Sequence, residues 1–129
     1  MSKIVESTQM LRTAALAADE KFGTDQVALD VSATLYITDA FLIISAENDR
    51  QIASIVDSVE QALQTTYGHT PLRREGRGSG DWVLLDFGDI VVHVFSHEQR
   101  EYYALERLWK DCPVIDLELP APSGADDAQ

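Results

Sequence analysis

Two carboxylates and two imidazoles lie close together in the second half of this 129-residue chain. Asp86 and Asp89 form a D-x-x-D pair around Gly88, and paired carboxylates can hold Mg²⁺ or divide general acid and base work. The same residues flank Phe87-Gly88, a tight turn, where Asp is favoured because its side chain bonds the local backbone. Turn chemistry is the better account. His93 and His97 are four apart, the spacing that lets two imidazoles grip one metal from a helix. Here the interval crosses from a strand into a helix, so that geometry is not expected, and no motif supplies a third ligand. His93, among Val91, Val92, Val94 and Phe95, reads as a hydrogen-bonded packing residue or a surface contact. Cys112 is the single cysteine. It cannot form an internal disulfide, and Asp111 beside it disfavours the thiolate that catalysis requires, so it reads as a thiol in a reducing cytoplasm.

Serine nucleophile chemistry lacks its G-x-S-x-G elbow. Gly76-x-Gly78-x-Gly80 is not the phosphate-cradling G-x-G-x-x-G, and it lies between a helix and a strand in the wrong order. Gly78-Ser79 ahead of Asp86 is loosely like a nucleotidyltransferase signature in which Gly-Ser precedes D-x-D on a strand. Leu84 and Gly88 stand where the second Asp would be. A Mg²⁺-dependent nucleotidyl- or phosphotransferase using Asp86 and Asp89 is therefore the alternative reading, and neither a cofactor nor a metal site is expected. Arg73, Arg74 and Arg77 form the only local basic cluster, a solvated loop by default and a minor RNA or partner contact as the sharper option. Trp82 follows the charged Asp81 at a strand edge, and Tyr102 and Tyr103 are helix neighbours that cannot both face inward. Exposed aromatics of this kind are how interface anchors look.

The elements that must position these residues follow from periodicity and caps. Residues 4–22 predict a helix: Leu11, Ala15, Ala18 and Phe22 recur at one helical face, with Gly23 as a left-handed stop. Residues 27–32 predict a strand, and Phe41-Leu42-Ile43-Ile44, apolar on both faces, suits a central strand after a Thr38-Asp39 turn. Asn48 or Asp49 caps a second helix whose stripe is Ile52, Ile55, Val56, Val59 and Leu63, with Gly68 just past its end. Residues 69–81 read as a polar connector. Trp82–Asp86 and Ile90–Phe95 predict a hairpin, and Ser96 with Gln99 matches the S-x-x-Q capping box of a third helix. Its inner face runs through Tyr102, Leu105 and Leu108 or Trp109. The order is α-β-β-α-β-β-α, an α/β single domain with a mixed sheet flanked by helices.

Charge limits the partners. Ten Lys and Arg against 22 Asp and Glu give −12, which repels a phosphate backbone because nucleic-acid affinity rests on basic groups displacing counterions. An acidic chain can still dock on a basic protein of a ribonucleoprotein. No apolar run approaches the roughly 20 residues a bilayer demands, and the first residues do not read as a signal peptide, so no membrane association is expected. Residues 118–129 are small, acidic and proline-bearing, and read as a disordered tail.

In order along the chain, several segments match one family. Asp81-Trp82-Val83-Leu84-Leu85-Asp86-Phe87-Gly88-Asp89-Ile90-Val91-Val92-His93-Val94-Phe95 resembles the D/R-W-x-x-x-D-x-G-D-x-x-x-H-x-F/M core of the ribosomal silencing factors (Iojap-like). Tyr103-Ala104-Leu105-Glu106-Arg107-Leu108-Trp109 is similar to their Y-x-L-E-x-L-W. Thr38-Asp39-Ala40-Phe41-Leu42-Ile43-Ile44-Ser45 and Asp49-Arg50-Gln51 are similar to T-D-x-F-x-I-x-S and S/N-x-R-Q. The resemblance covers residues 4–117. It departs at Ala40, where members often carry Cys or Tyr, and at Ser45-Ala46-Glu47, where Ser-Gly or Thr-Gly is common.

The resemblance implies a silencing-factor domain over 1–117, with a nucleotidyltransferase-like fold lacking the catalytic carboxylate pair and no enzymatic activity. It implies a translational repressor that binds ribosomal protein uL14 of the large subunit and sterically blocks joining of the small subunit, with little or no direct nucleic-acid contact. A homodimer in the free state is also implied. The expected uL14 contacts are Trp82 and Tyr103 as anchors, Asp81, Glu98 and Glu106 as partners of Arg or Lys, and His93 beside them.

Overall fold

The computed structural model describes residues 3–76 and 81–120. Its elements are α1 (Lys3–Glu20), β1 (Thr24–Asp30), β2 (Ala40–Ala46), α2 (Asp49–Tyr67), β3 (Arg73–Glu75), β4 (Trp82–Asp86), β5 (Ile90–Ser96), α3 (His97–Tyr103), α4 (Leu105–Leu108) and β6 (Val114–Ile115). The strands form one sheet in the order β3-β4-β5-β2-β1-β6. β2 runs parallel to β5, and the remaining pairs are antiparallel. The sheet is mixed, as expected. β2 is central because it is apolar on both faces: all seven of its residues are buried.

Helices α1 and α2 cover one face. Leu11, Ala15 and Ala18 of α1 and Ile52, Ile55, Val56, Val59 and Leu63 of α2 pack there against Leu42, Ile44, Leu85, Val92 and Val94. Asn48 caps α2, its side chain accepting from the Gln51 amide at 2.8 Å, and Gly68 ends the helix at φ 73°. The opposite face carries Leu29, Val31, Phe41, Ile43, Val91 and Phe95, with Trp82, Leu84, Leu105, Trp109 and Cys112 packed on them. Among the described residues, α3, α4 and the loop between β1 and β2, through Val31 and Leu35, lie over it. This lighter cover is what makes it the face of interest.

Several sequence expectations are corrected. Phe22 does not continue the face of α1: it adopts φ 66° and is 80% exposed. The left-handed stop is therefore Phe22, not Gly23, and Gly23 is needed because a Cβ there would lie 2.8 Å from the Ile44 side chain. The supposed connector contains β3, whose Arg73, Arg74 and Glu75 pair with Asp86, Leu85 and Leu84. An exposed edge strand buries nothing and leaves no apolar alternation. The third helix breaks at Ala104, φ 47°, so Tyr102 and Leu108 turn outward while Leu105 and Trp109 pack inward. Ser96 accepts from the Gln99 amide at 3.3 Å, but its own amide donates to the Asp81 carbonyl, so the box is half formed. The chain remains packed beyond 117, since Leu119 lies against the helix-side core. Arg77, Gly78, Ser79, Gly80 and the tail from 121 lie outside the described residues.

Candidate functional site

On the β4–β5 hairpin, Trp82, Leu84 and Asp86 alternate onto the lightly covered face, opposite Phe95, His93 and Val91 respectively. The Trp82 indole stacks on Phe95 at 4.8 Å between ring centres and 24° between planes. Tyr103 closes on it from the end of α3 at 4.7 Å, and Tyr102 meets Tyr103 edge-on at 5.1 Å. Tyr103 reaches this place because α3 ends in the left-handed turn at Ala104. It keeps 47% of its surface exposed, and Trp82 is half-buried. One aromatic rests on a packed base while its neighbour faces solvent, the arrangement of an interface anchor.

Behind Trp82 stands His93, 4% exposed. The Trp82 Nε1–H donates to His93 Nδ1 at 3.3 Å. An indole nitrogen only donates, so the imidazole carries its proton on Nε2. Burial pushes the His93 pKa down to about 4 and keeps the ring neutral. Phe41 packs edge-on against it at 5.0 Å. His93 is thus a packed, hydrogen-bonded support for Trp82, and His97 is elsewhere, its Nε2 3.3 Å from Glu47 Oε1.

The acidic residues divide into two kinds. Asp81 and Glu98 are exposed and, with Glu47, Asn48, Asp49, Ser96 and His97, line an open cleft of about 530 Å³ between the starts of α2 and α3. Glu106 is engaged within the chain: its carboxylate takes two hydrogen bonds from Arg100, at 3.0 and 2.9 Å. Those bonds hold its carboxyl below the usual Glu range. Arg100 is buried and also donates to Ser45 Oγ at 2.8 Å. This Ser45–Arg100–Glu106 link fastens α4 to the end of β2. No local spacing announces it, because Ser45 and Arg100 are 55 residues apart.

Asp86 is a turn residue by its bonds: Oδ1 accepts from the Gly88 amide at 2.8 Å, and Oδ2 lies 3.6 Å from Arg73 Nε. At Asp89 the main-chain carbonyl accepts from the Asp39 amide and from Thr38 Oγ1, tying the loop before β2 to the hairpin. Among the described residues no three His, Cys, Asp or Glu side chains group to hold a metal ion. Arg74 forms a bidentate pair with Glu60 of α2 at 2.9 and 2.8 Å, and Arg73 pairs with Glu75 at 3.2 Å. Both are therefore occupied. Among the described residues no helix is long and apolar enough to cross a membrane.

Fold and face together define a mixed-sheet α/β module with a half-open aromatic surface. Residues 4–129 match the family model described as ribosomal silencing factor during starvation. The Bacillus subtilis ribosomal silencing factor RsfS is 38% identical, covering 85% of this chain and 92% of that protein. A mouse protein named for mitochondrial assembly of the ribosomal large subunit is 33% identical over 66% of this chain and 38% of its own length. A crystal structure from Chromobacterium violaceum superposes with a TM-score of 0.76 at 30% identity, covering 88% of each chain. The chain belongs to the ribosomal silencing factor family, whose role is ribosome-associated repression of translation.

Proposed function

We propose that the protein binds the large ribosomal subunit through ribosomal protein uL14 and blocks joining of the small subunit by occupying the surface it would bridge. The observation that carries this reading is the Trp82–Tyr103 pair, half-open on a packed aromatic base; the exposed carboxylates Asp81 and Glu98 lie in the cleft at the start of α3. An aromatic anchor on a chain of net charge −12 suits a basic protein surface better than a phosphate backbone. His93 holds the indole from behind, and Glu106, through Arg100, fixes the turn that presents Tyr103. The protein acts in the cytoplasm, and in the free state it is a homodimer.

Co-sedimentation with purified large subunits tests the site. Trp82→Ala and Tyr103→Ala should each weaken binding by about 2 kcal/mol or more, roughly thirtyfold, and should restore subunit joining. Unchanged co-sedimentation of both variants would show that the docking face lies elsewhere. A transferase acting through Asp86 and Asp89 would instead bind nucleotide with Mg²⁺ saturably, with binding lost in Asp89→Ala. Calorimetric titration should show none.

A further inference from the structure

Beyond the Trp82–Tyr103 pair the run of rings continues outward. From Phe95 to Trp82, Tyr103 and Tyr102, successive ring centres lie 4.8, 4.7 and 5.1 Å apart. Exposure rises along it, from buried Phe95 through half-buried Trp82 to Tyr102 at 78%. Tyr102 and Tyr103 meet at 88°. In an edge-to-face contact one ring offers its rim and the other its face, so Tyr103 leaves at least one face of Tyr102 uncovered whichever way round the contact runs. Little of the Tyr102 ring is buried, and the fold gains correspondingly little from it. Glu98, also exposed, stands four residues earlier in α3, a spacing that puts two side chains on one helix face about a turn apart. Among the described residues none pairs with the Glu98 carboxylate. The α3 cation, Arg100, is spent on Glu106 and Ser45.

We infer that the open face of Tyr102 and the Glu98 carboxylate together receive one arginine side chain of the large-subunit protein partner. This rests on the ribosome-binding reading above and adds to it the chemistry of a residue the partner brings. A cation is drawn to the face of an aromatic ring, and a chain of net charge −12 favours a cationic partner group. Of the two basic side chains the guanidinium fits better. It is flat, so it lies on a ring while its edge gives parallel bonds to a carboxylate, and lysine's compact, strongly hydrated ammonium makes neither contact as well. The arginine comes from the partner that covers the anchor, because Tyr102 touches Tyr103 and Tyr103 is half of that anchor. Trp82 and Tyr103 then supply apolar contact, while Tyr102 and Glu98 select charge.

The test uses the full chain and purified large ribosomal subunits. Both side chains are exposed, so their substitution should leave the thermal midpoint unchanged and read binding alone. Tyr102→Leu keeps apolar bulk but removes the ring, and should weaken co-sedimentation about tenfold. Tyr102→Phe, which keeps the ring, should stay within about twofold of the wild type. Glu98→Gln should weaken binding several-fold, and the Tyr102→Leu, Glu98→Gln double variant should lose less than the product of the two losses, because both contacts serve one group. Among single Arg→Lys substitutions in uL14, one should reproduce the loss and add little to Tyr102→Leu. Wild-type affinity in Tyr102→Leu, with binding still lost in Trp82→Ala, overturns the inference and leaves the ribosome reading intact. So do equal losses in Tyr102→Leu and Tyr102→Phe, losses that multiply, or no effect of any Arg→Lys substitution. A loss seen only in self-association of the free chain also overturns it, since the occupant is then a second copy. Failure of the wild type to pellet with large subunits overturns both readings.

Discussion

A neutral imidazole locked behind an indole makes His93 a proton-linked element of stability. Its pKa is about 4 in the fold against about 6.5 in an unfolded chain. Between those values the unfolded state binds the proton and the folded state does not, so stability falls as pH falls through that window. The contribution is complete above about pH 6.5 and lost by about pH 4, a change on the order of 3 kcal/mol. The Arg100–Glu106 link acts in the same direction at lower pH, because protonating Glu106 gives up two charge-assisted bonds. The expected outcome is a thermal midpoint that declines from pH 7 to pH 4 in the wild type and declines less in His93→Gln. Equal slopes for the two proteins in calorimetric scans would show that His93 titrates normally in the fold.

At the scale of elements, two glycines with left-handed backbones make opposite demands. Gly68 ends α2 at φ 73°, and a Cβ there would meet nothing within 4 Å, whereas at Gly76, φ 86°, a Cβ would sit 2.0 Å from the Trp82 carbonyl. Gly68→Ala should therefore cost only the left-handed penalty, about 1 kcal/mol. Gly76→Ala adds a backbone clash, should cost about 3 kcal/mol, and must shift the strand that carries Trp82. Denaturant melts should rank the variants in that order, with lost large-subunit binding only for Gly76→Ala. Similar costs for both would show that the β3–β4 approach relaxes freely. Elements whose reasons are local were legible in the sequence: α2 through its stripe and caps, β2 through its apolar run, and the hairpin through its turn. The left-handed turns at Phe22 and Ala104 were not, because residues with a Cβ seldom adopt them and tertiary packing enforces them here. Of the candidate site, the sequence showed the residue types but not their surroundings. Trp82 and Tyr103 stood out as spare aromatics, but the internal capture of Glu106 by Arg100 and the burial of His93 depend on contacts that no sequence interval encodes.

For the whole molecule, charge acts at two ranges with opposite sign. A net −12 is repelled by the RNA-rich subunit as a body, while under the proposed docking Asp81 and Glu98 would attract basic groups of the partner protein. Repulsion is felt over the screening distance of about 10 Å at 0.1 M salt; pairing is felt only on contact. Removing two negative charges should therefore have effects that depend on their place. Glu6 and Glu20, exposed on α1 across the sheet from the aromatic face, belong to the repulsive body. The Glu6→Gln, Glu20→Gln double variant should associate with large subunits about twofold faster at low salt, with the difference vanishing as salt is raised. The Asp81→Asn, Glu98→Gln double variant loses the same net charge yet should bind several-fold more weakly, mainly through faster dissociation. Stopped-flow association and chase measurements over a salt series separate the two. If both variants bind alike, net charge alone governs the encounter, and Asp81 and Glu98 make no specific contact.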